Sequence, residues 1–372
     1  MASAAATWYT VVGQSDYYWR VVAPARALNA KTVMVPDVGG YFAFTQPNSD
    51  TEFPWQVEPD ISYPSLEGDA CVWTRPDPTR AIHALAMQET YGVRTVAEVD
   101  DNYLSDTKHN IYMRSNGFDA NHRRLHLKSV ASMDAAVFTT EWLRDTYRAA
   151  IREEFRKFPH PEMFVCGNHL WVQDWPDLVE RDSGSPLRVG WMGSPSHLWD
   201  IDVAWPALMY AKQEGCETVL IGFDPSRPEH PVETQRSLFK TKQWAKVQAR
   251  HVPWRQMNSS ERLSLPLDIG LCPLLYNGFT MGKSDIKAVE YAISGAAVVA
   301  SNHPVYSRGW KHEQTCLLAG SPNEMLECVR RLIRDPRLRQ ELAENAREYV
   351  REQRDIEMHA GEWHEAVFGR SI

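Results

Sequence analysis

Short β-branched runs alternate with longer amphipathic stretches along nearly the whole chain. In the first half this pattern predicts strands near 7–12, 31–35, 70–74, 94–99, 135–139 and 163–166, and helices near 18–28, 78–91, 119–131 and 141–150. The second half restarts it, with strands expected near 187–192, 217–221, 268–272 and 296–300 and helices near 201–214, 284–294, 322–334 and 336–352. Strands and helices alternating in this way are the signature of parallel sheets wrapped by helices.

The polar stretch ERDSGSP at 180–186 interrupts the pattern and reads as an interdomain linker. The expected organisation is an α/β protein with two Rossmann-like parallel-sheet domains facing across a cleft. The first covers residues 1–180 and the second 181–350, and the helical pattern of 351–372 (Ile356, His359, Trp363, Val367) packs back across that cleft. A length of 372 residues suits two such domains, and 43% hydrophobic with 24% charged residues is globular composition. The net charge of −8 argues against a bulk nucleic-acid coat but leaves room for a local phosphate pocket. No apolar run reaches the roughly 18 residues of a membrane span. The opening MASAAATWYTVVG lacks the basic start and apolar stretch of a signal peptide, so the expected location is the cytoplasm, or a host's cytoplasm for a viral gene. The six cysteines are scattered without a CxxC pair, which fits reduced, mostly buried thiols and no disulfide frame or zinc site. Of the 14 tryptophans, Trp19, Trp191, Trp199 and Trp254 flank turns where a ring can line a ligand site, although core packing is the expectation for any single one.

Most of the chemistry lies in residues 268–301, which read as strand, glycine-containing loop, helix, helix-ending Gly295 and strand. The loop sits at a strand's carboxyl end and feeds a helix N-terminus, where open parallel sheets bind ligands and where phosphates are favoured. On a helical wheel Ile286, Val289 and Ile293 share the face toward the sheet. Lys283, Lys287 and Glu290 form a second stripe along the helix edge. Ser284 is the expected N-cap. Two lysines about a turn apart at a helix start repel each other and oppose the helix dipole, and a bound diphosphate would reverse those terms. The alternative is a solvated edge carrying a Lys287–Glu290 surface pair.

This segment resembles the donor-binding helix of the family-four retaining glycosyltransferases of GT-B fold. The branch pattern Lys-Ser-x-x-Lys-x-x-Glu is matched by Lys283, Ser284, Lys287 and Glu290, and is followed by Gly295 and Val298-Val299-Ala300-Ser301. The resemblance implies a Leloir-type hexosyltransferase. Glu290 would bond the ribose hydroxyls of a UDP- or GDP-sugar, and Lys283, Lys287 and the helix start would hold the diphosphate. The family's second glutamate, eight positions before the first, is Gly282 here, so sugar recognition is expected from elsewhere, such as the amides of Gly278-Phe279-Thr280-Met281.

Other segments support this reading. In VGWMGSPSHLWDID, Gly193 permits a tight turn, and Ser194 and its neighbours offer amides and hydroxyls to a phosphate. The Arg and Lys that many relatives carry just after this element are absent, and His197 stands there instead. In the first domain Gly13 and Arg20 mark a loop and helix start that the resemblance brings toward the diphosphate and acceptor. Asp100 and Asp101, at a strand's carboxyl end, are candidates to orient or deprotonate the acceptor hydroxyl. The run NHRRLHLK at 121–128 is read as a solvated basic face that could also meet an anionic acceptor or a membrane surface, and Asn168 is read as structural.

The function expected is transfer of a sugar from a nucleotide diphosphate sugar to a protein, lipid or glycan hydroxyl with retention of configuration. Asp100, Asp101 and Lys283 are the catalytic candidates, and Thr280 joins the donor-binding set. No metal and no cofactor beyond the nucleotide-sugar co-substrate is expected. The alternatives are a nucleotide-sugar epimerase of the same architecture and a non-catalytic nucleotide-sugar or glycan binder.

Overall fold

The computed structural model describes residues 5–10, 18–34, 68–105, 118–175, 178, 184–226, 238–253 and 267–369. The chain divides into two compact units. Of the described residues, the first takes those within Met1–Ser105, Phe118–Leu170 and Ile356–Ile372, and the second those within Trp171–Asp355. The chain therefore enters the second unit after Leu170, ahead of the polar stretch at 180–186, and returns at Ile356.

The first unit holds a six-stranded sheet of β1 (Ala6–Thr10), β2 (Lys31–Met34), β3 (Ala70–Thr74), β4 (Arg94–Val99), β5 (Ala135–Phe138) and β6 (Glu162–Val165), in the order β2-β1-β3-β4-β5-β6. Every pairing is parallel. β1 and β3 are buried along their whole length, as expected of strands covered on both faces. The helix Ile356–Phe368 belongs to this unit and packs on β3–β6, where its Trp363 is fully buried with ring centroids 6.0 Å from Trp8.

The second unit repeats the plan with β7 (Arg188–Gly193), β8 (Glu217–Gly222), β9 (Arg250–Val252), β10 (Ile269–Cys272), β11 (Ala297–Ser301) and β12 (Leu317–Ala319), in the order β12-β11-β10-β7-β8-β9. These pairings are parallel too. From β7 the chain builds outward through β8 and β9, then crosses to β10 on the other side. The direction of winding therefore reverses between β7 and β10, and that reversal opens a crevice at the strands' carboxyl ends.

The helix Ile286–Ile293 is fastened over this point. β7 and β10 pair as far as Trp191 and Leu271, and the next amide, of Met192, donates instead to the Tyr291 hydroxyl at 2.7 Å. The ring reaches it by lying over Gly270, where an added Cβ would meet the Tyr291 ring at 2.3 Å. Trp191 and Trp19 are core residues, Trp199 is half-buried, and Trp254 lies outside the described residues. All six cysteines are free thiols, five of them buried. Among the described residues no helix is long and apolar enough to cross a membrane.

Candidate functional site

The loops that leave β7 and β10 meet at the reversal. Gly193 ends β7 with no room for a side chain, because a Cβ there would fall 2.2 Å from the Trp191 indole. The chain then turns through Ser194, whose hydroxyl lies 2.7 Å from that of Ser196, into the short helix Pro195–His197. The His197 ring is buried, with Nδ1 2.8 Å from the Asp200 carboxylate and Nε2 2.8 Å from the Lys287 ammonium. The other Asp200 oxygen accepts the Leu275 amide at 2.9 Å, which ties the loop after β7 to the loop after β10. Burial and the neighbouring Lys287 charge push the His197 pKa down to about 4, so the imidazole is neutral near pH 7. Its Nδ1–H then donates to Asp200, and its Nε2 lone pair accepts from Lys287.

Lys287 is half-buried. Desolvation, reinforced by the charge of Lys283, lowers its pKa to about 8. Among the described residues its hydrogen bond goes to His197, so the alternative of a Lys287–Glu290 surface pair gives way to a bond across the crevice. Glu290 itself is 1% exposed, one turn further along the helix. Lys283 lies half-buried just before the helix, its ammonium 4.4 Å from the centroid of the Phe279 ring.

Two expectations about this helix start are corrected. The N-cap position is Asp285, not Ser284, and its side chain makes no cap bond. Its carboxylate is drawn away to Trp310 Nε1 at 2.9 Å and to Arg354, anchoring the helix start to the end of the helix Pro336–Gln353. Three of the four turn amides proposed for sugar recognition are already engaged. Those of Phe279 and Thr280 both donate to the Asn277 side-chain oxygen at 3.0 Å, and that of Met281 donates to the Asn277 carbonyl at 3.0 Å. Thr280 is buried, and its hydroxyl donates to the Leu275 carbonyl at 2.5 Å and lies 3.5 Å from His303 Nε2. Its part is to shape the turn. His303, Asp200, Asn277 and Ser301, whose hydroxyl accepts the Leu274 amide at 2.9 Å, complete the set that sequence reasoning missed. Only the Asn-Gly pair at 277–278 carried a local signal, as a turn former.

In the first unit Arg20 is not a surface phosphate ligand. It is 0% exposed, its Nε donates to Glu98 at 2.6 Å, its Nη1 donates to the Cys166 carbonyl at 2.7 Å and to the Asn168 side chain at 3.3 Å, and it lies over the Trp363 ring. A guanidinium this deep is kept by its partners and organises the unit's interior. Asp100 also has another occupation. Arg75 grips both of its oxygens, at 2.9 and 2.5 Å, and the Tyr103 hydroxyl donates to one of them at 3.0 Å. Arg75 was missed in the sequence, yet it holds a left-handed φ of 48°, a backbone cost met only where the surroundings enforce it. Asp101 is half-buried beside this group. Gly13 lies outside the described residues. The basic run at 121–128 is not one solvated face, because His126 is buried between the Pro76 carbonyl at 2.9 Å and the Tyr147 hydroxyl at 2.8 Å, with its pKa lowered by burial to about 4.

Among the described residues, His169, His359 and Glu362 of the first unit have ligand atoms within 4.8 Å of one another. The two imidazoles are stacked 3.5 Å apart and 5° from parallel. A metal about 2.1 Å from a nitrogen of each ring would sit far out of both ring planes, away from the lone pairs. As arranged, the trio clamps the chain where it leaves and re-enters the unit, beside the bond from the Ile356 amide to the Leu170 carbonyl at 2.8 Å.

Residues 237–365, which include the Lys283–Glu290 segment, match the family model described as glycosyl transferase-like. Solved structures share the fold over most of the chain. Sucrose-phosphate synthase from Thermosynechococcus elongatus is 14% identical, with 96% of each chain covered and a TM-score of 0.64. HepE from Anabaena, in complex with UDP-glucose, is 10% identical over 96% of this chain and 98% of its own, with a TM-score of 0.63. A UDP-forming α,α-trehalose-phosphate synthase from Burkholderia xenovorans is 13% identical over 80% and 73%, with a TM-score of 0.56. Two six-stranded parallel sheets, each wrapped by helices, make this an α/β fold resembling the GT-B glycosyltransferase structures.

Proposed function

We propose that the protein is a glycosyltransferase that moves a hexosyl group from a nucleoside diphosphate sugar, UDP-linked in the first instance, to an acceptor hydroxyl with retention of configuration. The observation that carries this reading is the Lys287–His197 contact, which joins the helix bearing Lys287 and Glu290, with Lys283 just before it, to the loop after β7 where the winding reverses. The glycosyl transferase-like match over 237–365 and the UDP named for two of the similar structures support it.

In this reading Glu290 accepts from the ribose hydroxyls and the two lysines face the diphosphate. As the bond from the anomeric carbon to the phosphate oxygen breaks, negative charge grows on the diphosphate, and fixed cations in a partly dry site stabilise it. The acceptor oxygen bonds the anomeric carbon on the face the diphosphate leaves, its hydroxyl proton passing to the departing phosphate oxygen, so no enzyme nucleophile is required. Asp101 is our candidate to orient the acceptor hydroxyl.

The test is thermal shift against UDP-, GDP- and ADP-sugars, followed by product analysis with and without acceptors. Selective stabilisation by one donor, and a product with the donor's anomeric configuration, support the proposal. A donor sugar altered without any acceptor would make the protein an epimerase. Tight binding with neither hydrolysis nor transfer over a panel of acceptors would make it a binder.

A further inference from the structure

The Lys287–His197–Asp200 chain of contacts resembles no simple ion pair. A lysine ammonium bonded to a neutral imidazole gains a hydrogen bond but no opposite charge. The charge balance is supplied one step further on, by a carboxylate that the lysine does not touch. We propose that His197 and Asp200 are positioning residues for Lys287: Asp200 fixes the imidazole in the tautomer that turns a lone pair toward Lys287, and that lone pair holds the ammonium over the β7–β10 crevice. This inference rests on the nucleotide-sugar reading of the site.

Three observations bear on it. The ring is buried, and each of its nitrogens has one partner, at 2.8 Å on both sides. Asp200 is buried and doubly engaged, by the ring and by the Leu275 amide, so its carboxylate cannot swing to Lys287 directly. Among the described residues Lys287 bonds to His197 even though Glu290 lies one turn away on the same helix. An ammonium has three donors, so one bond to His197 fixes the side chain and leaves two N–H groups for phosphate oxygens. A direct Lys–carboxylate pair would compete with the diphosphate for the same charge. The relay orients the lysine without neutralising it.

The charged and titratable groups around Lys287 are Lys283, Asp200, Cys272, Glu290 and His197. Lys283 disfavours the ammonium, whereas Asp200 and Glu290 favour it. Removing the Asp200 charge therefore lowers the Lys287 pKa further, and removing Lys283 raises it.

Asp200→Asn is the deciding substitution. Asparagine can still accept the Leu275 amide, but its NH2 faces His197 Nδ1. The ring then carries its proton on Nε2, pointing at the ammonium. We expect kcat to fall at least tenfold, with UDP affinity changed less, because the lost orientation matters most where the leaving charge develops. The alkaline limb of kcat/KM, which reports the free enzyme, should move down by roughly one pH unit. His197→Gln, able to accept from Lys287 and donate to Asp200, should recover most of the activity that His197→Leu loses. A packing role alone would favour the leucine instead.

Nitrogen-15 shifts of His197 test the relay without turnover. They should show a neutral Nδ1–H ring at pH 7 in the wild type and the other tautomer in Asp200→Asn. A wild-type ring protonated on Nε2, or an Asp200→Asn enzyme with unchanged kcat and pH profile, overturns the relay. If the wild type binds no nucleotide, it is the functional reading that fails, and the tautomer measurement still decides the relay on its own.

Discussion

Lys287→Met separates a residue kept for a ligand from one kept for the fold. In the ligand-free protein the ammonium is held in a place that opposes its charge, with its pKa lowered from 10.5 to about 8 by burial first and Lys283 second. A downward shift of that size corresponds to ~3 kcal/mol of unfavourable free energy for the charged form at neutral pH. The side chain is only half-buried, so water screens part of this, and losing the bond to His197 offsets about 1 kcal/mol more. Methionine fills the same volume without a charge. The net expectation is that the variant is more stable than the wild type by about 1–2 kcal/mol without ligand, a rise in Tm of roughly 2–8 °C for a unit of this size. The sign reverses with ligand: the extra stabilisation the wild type gains from saturating UDP should largely disappear in the variant. Differential scanning fluorimetry of both proteins with and without UDP gives all four numbers. A variant that melts lower without ligand, or that gains as much from UDP as the wild type does, would refute the placement of this lysine in an anion site.

Four further outcomes are expected. Glu290→Ala should weaken UDP binding by about 1.5–3 kcal/mol in calorimetry, and unchanged affinity removes Glu290 from the site. Asp100→Asn should lower stability by roughly 1–3 kcal/mol, since it loosens the Arg75 and Tyr103 bonds, and chemical denaturation distinguishes this from a pure turnover defect. Tyr291→Phe leaves the buried Met192 amide without its acceptor and should cost a similar 1–3 kcal/mol by the same measurement. His126 and His197, both with pKa values lowered from 6.5 to about 4, contribute stability that is full above pH 6.5 and lost as the pH falls through 4, on the order of 3 kcal/mol each. Unfolding free energies across that window should show the loss, and a His126→Gln variant should show less of it.

The alternation of apolar runs determined the fold class because parallel strands and their covering helices each leave a local period in the chain. β3 and β4 stand at the predicted residues, Ala70–Thr74 and Arg94–Val99, and the helices Pro322–Arg334 and Pro336–Gln353 match their predicted spans within a residue. The three-residue strands β9 and β12 carry too few positions for any period to show, and only their neighbours in the sheet define them. The lysine–serine helix start was likewise legible as a motif, because its residues lie within one turn or two. Its partners were not. His197 is 90 residues from Lys287 and Asp200 is 75 from Leu275, and no local pattern links them. They meet because the winding reverses between β7 and β10, which is a property of strand order. The same reasoning explains Arg20, whose residue type suggested a phosphate ligand. Its carboxylate partner lies 78 residues away on β4, and the helix that covers it comes from the far end of the chain. Sequence fixes which chemical groups are available at each position. Whether a charge faces a ligand or is neutralised in the interior depends on what the fold sets beside it, and that is decided by tertiary packing alone.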